Sequence, residues 1–182
     1  ASFPEYRTPK VEGIANKELM QNKPSVYIPL RYMTNLSSGD EKANTESVTQ
    51  LPRLRRIVEK TANELGIFQS FTFESFQAKN MDYVLEIEML NYGSKGKAMA
   101  AGFITGFTFF LIPSATTDNF KLTAKIYDKN RNLVKTYTYD DAITTWFGLW
   151  FIPVAGYTPT KAMENLWENM IKTLFRELIK DN

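Results

Sequence analysis

The 182-residue sequence contains neither cysteine nor histidine. It therefore offers no thiol nucleophile, no imidazole acid or base and no zinc site of the usual kind. The formal net charge of +2 gives no electrostatic reason to expect a nucleic acid or an acidic substrate as partner. We therefore expect no enzyme, no metal and no cofactor, since any chemistry would rest on carboxylates, lysine, tyrosine or hydroxyl groups.

The remaining motifs that could carry chemistry are incomplete. Residues 128–132 resemble the opening of a calcium loop, D-x-N-x-N, but Leu133 stands where the sharp turn needs glycine. Tyr139 stands where the bidentate glutamate belongs, so a hairpin turn is the better interpretation. Glu86 and Glu88 form a carboxylate pair, which is also typical of a solvent-facing strand. An enzyme that uses carboxylates is therefore only a third hypothesis.

The N-terminal residues 1–24 differ in composition and apolar pattern from the rest of the chain. They carry Pro4, Pro9, Gly13 and Pro24 and no sustained apolar period, which predicts an extended tether. Residues 25–182 are long enough to bury a core and are expected to form a single α+β domain.

Within this domain the apolar pattern alternates between strand and helix periods. Strands are predicted over 25–33, 67–76 and 81–92, with Pro29 at an edge or a bulge, and a hairpin over 119–146 turns at 128–132. A first helix is expected between a Thr49 cap and Gly66, and a terminal helix from a Thr158 cap. This order predicts a two-layer sandwich, in which a mainly antiparallel sheet of about 4–5 strands packs against two amphipathic helices.

Two uncharged segments interrupt the domain, at residues 98–117 and 142–160. The dense apolar part of the first ends at Pro113 after 16 residues, fewer than the roughly 20 that a membrane-spanning helix needs. "FTFFLIP" (107–113) in the first echoes "FGLWFIP" (147–153) in the second. Because one segment enters the hairpin and the other leaves it, both are expected at the same end of the sheet.

These segments supply the candidate site residues. If exposed, their aromatic side chains would contact a membrane surface or a partner protein, and the sequence does not separate the two. In the alternative, they pack on each other as part of the core. The candidate contact residues are Phe103, Phe107, Phe109, Phe110, Trp146, Phe147, Trp150 and Phe151.

The chain resembles small envelope lipoproteins of Gram-negative bacteria. The likeness rests on the tether-like start, on "GFTFFLIPSATTDNFKLTAKIYD" and on "TTWFGLWFIP" running into the terminal helix. It implies a secreted protein whose signal peptide is removed and whose N-terminal cysteine is acylated; that cysteine would precede Ala1 in the precursor. Ala1 and Ser2, with no aspartate, would favour sorting to the outer membrane.

The resemblance and the aromatic segments give one leading hypothesis for function. It is a non-enzymatic periplasmic domain, tethered to the outer membrane, that contacts the membrane or an envelope protein in an accessory or structural role. The alternative is a carrier that binds a lipid or another apolar small molecule between the sheet and the long helix. The sequence does not indicate the oligomeric state.

Overall fold

The computed structural model describes residues 1–10, 22–37, 44–94, 111–154 and 156–181. These residues form one sheet of eight strands and two α-helices. The strands are β1 (Ser2–Pro4), β2 (Ser25–Tyr27), β3 (Leu30–Ser37), β4 (Thr45–Glu46), β5 (Ser70–Thr72), β6 (Tyr83–Ser94), β7 (Ser114–Tyr127) and β8 (Leu133–Phe147). The helices are α1 (Leu51–Leu65) and α2 (Pro159–Lys180), with short 3₁₀ turns at Ser75–Gln77 and Leu149–Val154.

The three longest strands form an antiparallel meander, β6–β7–β8, at the centre of the sheet. β1 extends it beyond β8 in antiparallel direction. On the other side, β2 and β3 both pair with β6 in parallel direction, β5 lies parallel to β2, and β4 lies antiparallel to β3. The sheet is therefore mixed. The start of β7 and the end of β8 lie side by side at one end of it.

The predicted two-layer sandwich with about 4–5 mainly antiparallel strands is wrong, because the structure has a strongly curled mixed sheet of eight strands, a half-barrel, with two helices. The predicted strand at 25–33 is split at Pro29, since proline donates no ladder hydrogen bond. Its halves keep one register on β6, with Val26 opposite Tyr83 and Leu30 opposite Ile87, and no strand is formed at Ile28 and Pro29 between them. The strand predicted at 67–76 is present only over three residues, as β5. Two further strands, β1 and β4, have only three and two residues, too few for a periodic signal.

The helices begin and end largely where local signals place them. Thr158 caps α2, its hydroxyl accepting a hydrogen bond from the Lys161 N–H at 3.3 Å. Gly66 ends α1 in the left-handed region at φ +57°, as predicted from its position. The predicted Thr49 cap of α1 is wrong: Gln50 occupies the cap position without a side-chain bond, and the Thr49 hydroxyl bonds Ser47 instead.

The core lies between the inner face of the sheet and the two helices. Alternate residues of the central strands point into it, so β6 buries Leu85, Ile87 and Met89 completely. From α2, Trp167 and Phe175 are likewise inaccessible to solvent. The half-buried alternation predicted for these strands is confirmed and gives the sheet one apolar face.

The first ten residues, which belong to the predicted tether, are fixed to the domain. β1 pairs with Ile143, Thr144 and Thr145 of β8. Beyond β1, the buried Asp141 carboxylate accepts hydrogen bonds from the backbone N–H groups of Arg7 at 2.9 Å and Thr8 at 3.2 Å, in addition to that of its neighbour Ala142 at 2.8 Å. Residues 11–21 lie outside the described part of the chain, and the boundary at residue 24 stays a prediction.

Candidate functional site

The described parts of the two uncharged segments, residues 111–117, 142–154 and 156–160, meet at one end of the sheet. Ser114, the first residue of β7, lies opposite Phe147, the last residue of β8. Of the candidate residues there, Trp150 is 71% exposed and Trp146 is 40% exposed, while the Phe147 and Phe151 side chains are partly buried. The other four candidates, Phe103, Phe107, Phe109 and Phe110, lie outside the described residues.

Hydrogen bonding and ring packing hold the exposed tryptophans in place. The Trp150 Nε1–H donates to the Leu111 carbonyl at 3.1 Å, which joins the two segments. Trp146 packs on Phe151 with ring centroids 5.7 Å apart. The backbone can turn away from β8 at Gly148, where φ is +144°. Because the indole N–H of Trp150 is already satisfied, its ring is left as a mainly apolar exposed surface.

Five further apolar side chains belong to this surface. Of the eleven large hydrophobic side chains that are exposed in the described part of the chain, seven lie here. We call these seven the aromatic end: Phe3, Leu111, Ile112, Trp146, Leu149, Trp150 and Tyr157. Sequence reasoning did not single out five of them. Leu111, Ile112, Leu149 and Tyr157 fall inside the uncharged segments and could have been found from hydropathy, whereas Phe3 gives no local signal.

The N-terminal residue lies at the same place. The Ala1 ammonium group donates to the Trp146 carbonyl at 3.0 Å, and the Trp146 N–H donates to the Ala1 carbonyl at 2.7 Å. The Ser2 N–H donates to the Tyr157 carbonyl at 2.7 Å, and the Phe3 and Tyr157 rings lie 5.2 Å apart. Any residue attached to Ala1 would therefore start beside the aromatic end.

The charges that border the aromatic end are few and mostly paired. Arg7 and Glu5 form an ion pair at 2.8 Å. A hydrogen bond from the Thr144 hydroxyl, with the Arg7 pair, lowers the pKa of Glu5. Further along β7, burial raises the pKa of Asp118. The described residues between 111 and 117 and between 142 and 160 carry no formal charge, and the Ala1 ammonium group on the Trp146 carbonyl is the charge that lies beside them.

Two of the carboxylates considered for chemistry have structural partners. Glu88 lies 3.7 Å from Arg31, and Asp128 accepts hydrogen bonds from the N–H groups of Asn130 and Asn132, which closes the hairpin turn. Among the described residues, no three acidic side chains come close enough together to hold a metal ion. Within the same ranges, no helix is long and apolar enough to cross a membrane.

A cavity of about 180 Å³ lies near the opposite end of the sheet, between its inner face and the C-terminal turns of α2. Its walls are mainly apolar, and Lys135, Tyr137 and Asp181 provide the polar groups. The remaining lining residues are Pro24, Val26, Ile67, Phe68, Tyr83, Leu85, Ile126, Val134, Leu178 and Ile179.

Comparison with known proteins gives structural neighbours only. No protein family model matches the chain, and no curated protein matches it significantly. The PelC dodecamer from Paraburkholderia phytofirmans is similar at 12% identity over 92% of this chain and 94% of that chain, with a TM-score of 0.40. A point variant of that dodecamer matches at 13% identity over 86% and 87%, with a TM-score of 0.40.

A minor lipoprotein from Acinetobacter baumannii is similar at 11% identity over 87% of this chain and 90% of that chain, with a TM-score of 0.36. This is a loose likeness to the class of protein that the sequence resembles. At such identities and TM-scores, the neighbours establish neither a family nor a function for this chain.

Proposed function

We propose that this chain is a non-enzymatic domain of the bacterial envelope that rests its aromatic end on a lipid surface. The observation that carries the proposal is the clustering of seven exposed large apolar side chains at one end of the sheet. Monomeric soluble domains seldom expose a large contiguous apolar patch, because contact between apolar side chains and water is unfavourable.

The kind of side chain favours a membrane over a protein partner. Tryptophan and tyrosine are enriched at the level of lipid headgroups, where an apolar ring can enter the hydrocarbon boundary while its polar edge stays hydrogen-bonded. Trp150 has this arrangement, with its N–H held by Leu111 and its ring 71% exposed. The side chains of the aromatic end carry no formal charge, so their transfer adds no desolvation cost of a charged side chain.

A second part of the proposal is that an acyl anchor precedes the domain. The lipoprotein resemblance implies an acylated cysteine before Ala1. Such an anchor would enter the membrane next to Trp146, whose backbone exchanges two hydrogen bonds with Ala1. Because stable attachment takes two membrane signals, a single lipid group and the aromatic end would reinforce each other.

The alternative of a carrier for a whole lipid has less support from the described residues. A cavity of about 180 Å³ is smaller than the roughly 300–1,000 Å³ of sites that enclose drug-sized ligands. It would hold only part of one acyl chain, so transport of a whole lipid is not proposed.

Flotation with liposomes of bacterial lipid composition tests the proposal on the chain without any acyl group. We expect the wild-type chain to float and the variant Trp146→Asp/Trp150→Asp to stay at the bottom of the gradient. Phe76→Asp is the matched control, since Phe76 is 73% exposed in the Ser75–Gln77 turn, away from the aromatic end.

If the folded wild type does not float, or if the double variant floats as well as the wild type, the membrane proposal is wrong. In the first case the aromatic end becomes a candidate surface for an envelope protein. The folded state of each variant is checked from its thermal unfolding curve.

A further inference from the structure

The cavity at the far end of the sheet combines an apolar interior with a polar side of defined chemistry. Lys135 Nζ and an Asp181 carboxylate oxygen form a close ion pair. The Tyr137 hydroxyl donates to the same oxygen, Oδ2, at 2.8 Å. This arrangement leaves the other carboxylate oxygen, Oδ1, and the remaining N–H groups of the lysine available for a ligand.

The size of the cavity restricts the apolar part of a ligand. An apolar protein cavity of about 150 Å³ is known to hold one benzene molecule. The cavity here, at about 180 Å³ and partly open to solvent, therefore has room for a single ring with one or two small substituents. Val26, Leu85 and Ile126 supply apolar walls from three neighbouring strands, and Ile179 faces them from α2.

The polar side restricts the ligand's head group. The Lys135–Asp181 pair has no net charge, so an anionic head would meet the Asp181 carboxylate and a cationic head would meet the Lys135 ammonium group. A hydroxyl group has no charge that either side chain would repel. It can donate a hydrogen bond to Asp181 while it accepts one from Lys135. Hydrogen bonds to charged partners are also stronger than those between neutral groups.

We propose that this cavity is a binding site for a small, uncharged, hydroxyl-bearing aromatic molecule of the size of a substituted phenol. The ring would lie against the apolar walls and the hydroxyl would bridge Lys135 and Asp181. This site is independent of the proposed membrane contact, since it lies by the 128–132 turn while the aromatic end lies where β7 begins and β8 ends.

Titration of the whole chain with 4-methylphenol, followed by amide chemical shifts and calorimetry, tests the site. Toluene is the matched probe without the hydroxyl, and 4-methylbenzoate is the anionic one. We expect 4-methylphenol to shift the amides of lining residues such as Ile126 and Ile179. We expect toluene to bind at the same place about tenfold more weakly, because one hydrogen bond to charged groups is lost.

Two substitutions locate the ligand. The β7–β8 register shifts so that Val134 has no partner on β7, and its side chain lies at the cavity 60% exposed. Val134→Trp should therefore block the cavity and abolish binding without disturbing the core. Leu133→Trp is the matched control, since Leu133 is 53% exposed next to it and does not line the cavity.

A third variant tests whether the ligand's hydroxyl group contacts Asp181. Asp181→Ala should make 4-methylphenol bind no better than toluene while the toluene affinity stays unchanged. The proposal is overturned if 4-methylphenol shifts no lining amide, if toluene or 4-methylbenzoate binds as tightly as 4-methylphenol, or if Val134→Trp binds like the Leu133→Trp control. Thermal unfolding of each variant confirms that it is folded.

Discussion

Replacing Trp150 by alanine should weaken binding to lipid vesicles by about 30-fold. An aromatic side chain carries roughly 150–250 Å² of surface, and Trp150 is 71% exposed, so about 150 Å² is available for transfer. Complete transfer at about 25 cal/mol/Å² would contribute about 4 kcal/mol. A ring at headgroup level leaves water only in part, and taking half of that area gives about 2 kcal/mol, or about 30-fold in the partition coefficient.

The measurement is a titration with large unilamellar vesicles, with bound and free protein separated by sedimentation. Phe76→Ala is the matched control, because it removes a 73% exposed ring in another part of the fold and should leave partitioning unchanged. The loss of the hydrogen bond from Trp150 to the Leu111 carbonyl lowers stability by only about 1 kcal/mol, so the variant should stay folded. Equal partitioning of wild type and Trp150→Ala, or an equal loss in Phe76→Ala, would refute the reasoning.

Three further predictions concern stability. Asp141→Ala should lower the free energy of unfolding by roughly 2–4 kcal/mol in urea titration, because it leaves the buried N–H groups of Thr8 and Ala142 and the partly buried one of Arg7 without their acceptor; a loss below 0.5 kcal/mol would contradict that role. Asp118→Asn should stabilise the chain at pH 7 and have little effect below about pH 4. The folded-state pKa of Asp118 is raised by burial, so the stability that its protonated form contributes is complete below the unfolded pKa and is lost as the pH rises through the folded pKa; a gain that is independent of pH would refute this. Thr158→Ala should cost about 1 kcal/mol by thermal unfolding, since it removes the cap of α2, and an unchanged transition would show that the cap is not needed.

Local patterns in the sequence predicted those elements that are long and periodic. The hairpin turn at 128–132 and the terminal helix from Pro159 are where the alternation and the capping residues place them. Each of these signals depends on neighbours a few residues apart, so one sequence is enough to read it.

The curled eight-stranded sheet could not be predicted from the sequence, for a physical reason. β1 consists of three residues whose partners in β8 lie about 140 residues further along the chain, and β5 has three residues that pair in parallel with β2. Short strands of this kind gain their stability from pairing rather than from propensity. The residues of β1 therefore gave no strand signal, and the strand predicted at 67–76 did not show that only Ser70–Thr72 of it would pair, or with which strand.

Some residues of the candidate site could be predicted from local sequence, and others are placed there only by strand pairing. Trp146 and Trp150 were predicted as contact residues from two uncharged segments with a similar sequence pattern. Their contact with a membrane or a partner stays a prediction. Phe3 joins them only because β1 folds back onto β8, and Val134 reaches the cavity only because the register shifts beside it. Both effects depend on strand pairing, which hydropathy does not show.

The most direct test of the membrane proposal uses the three tryptophans of the chain, two at the aromatic end and Trp167 in the core. Emission is recorded with vesicles that contain brominated lipid, which quenches only tryptophans that reach the acyl chains. We expect strong quenching in the Trp167→Phe variant, which keeps Trp146 and Trp150, and none in Trp146→Phe/Trp150→Phe, which keeps only the buried Trp167. Unquenched emission from a vesicle-bound Trp167→Phe variant would show that the aromatic end does not enter the bilayer.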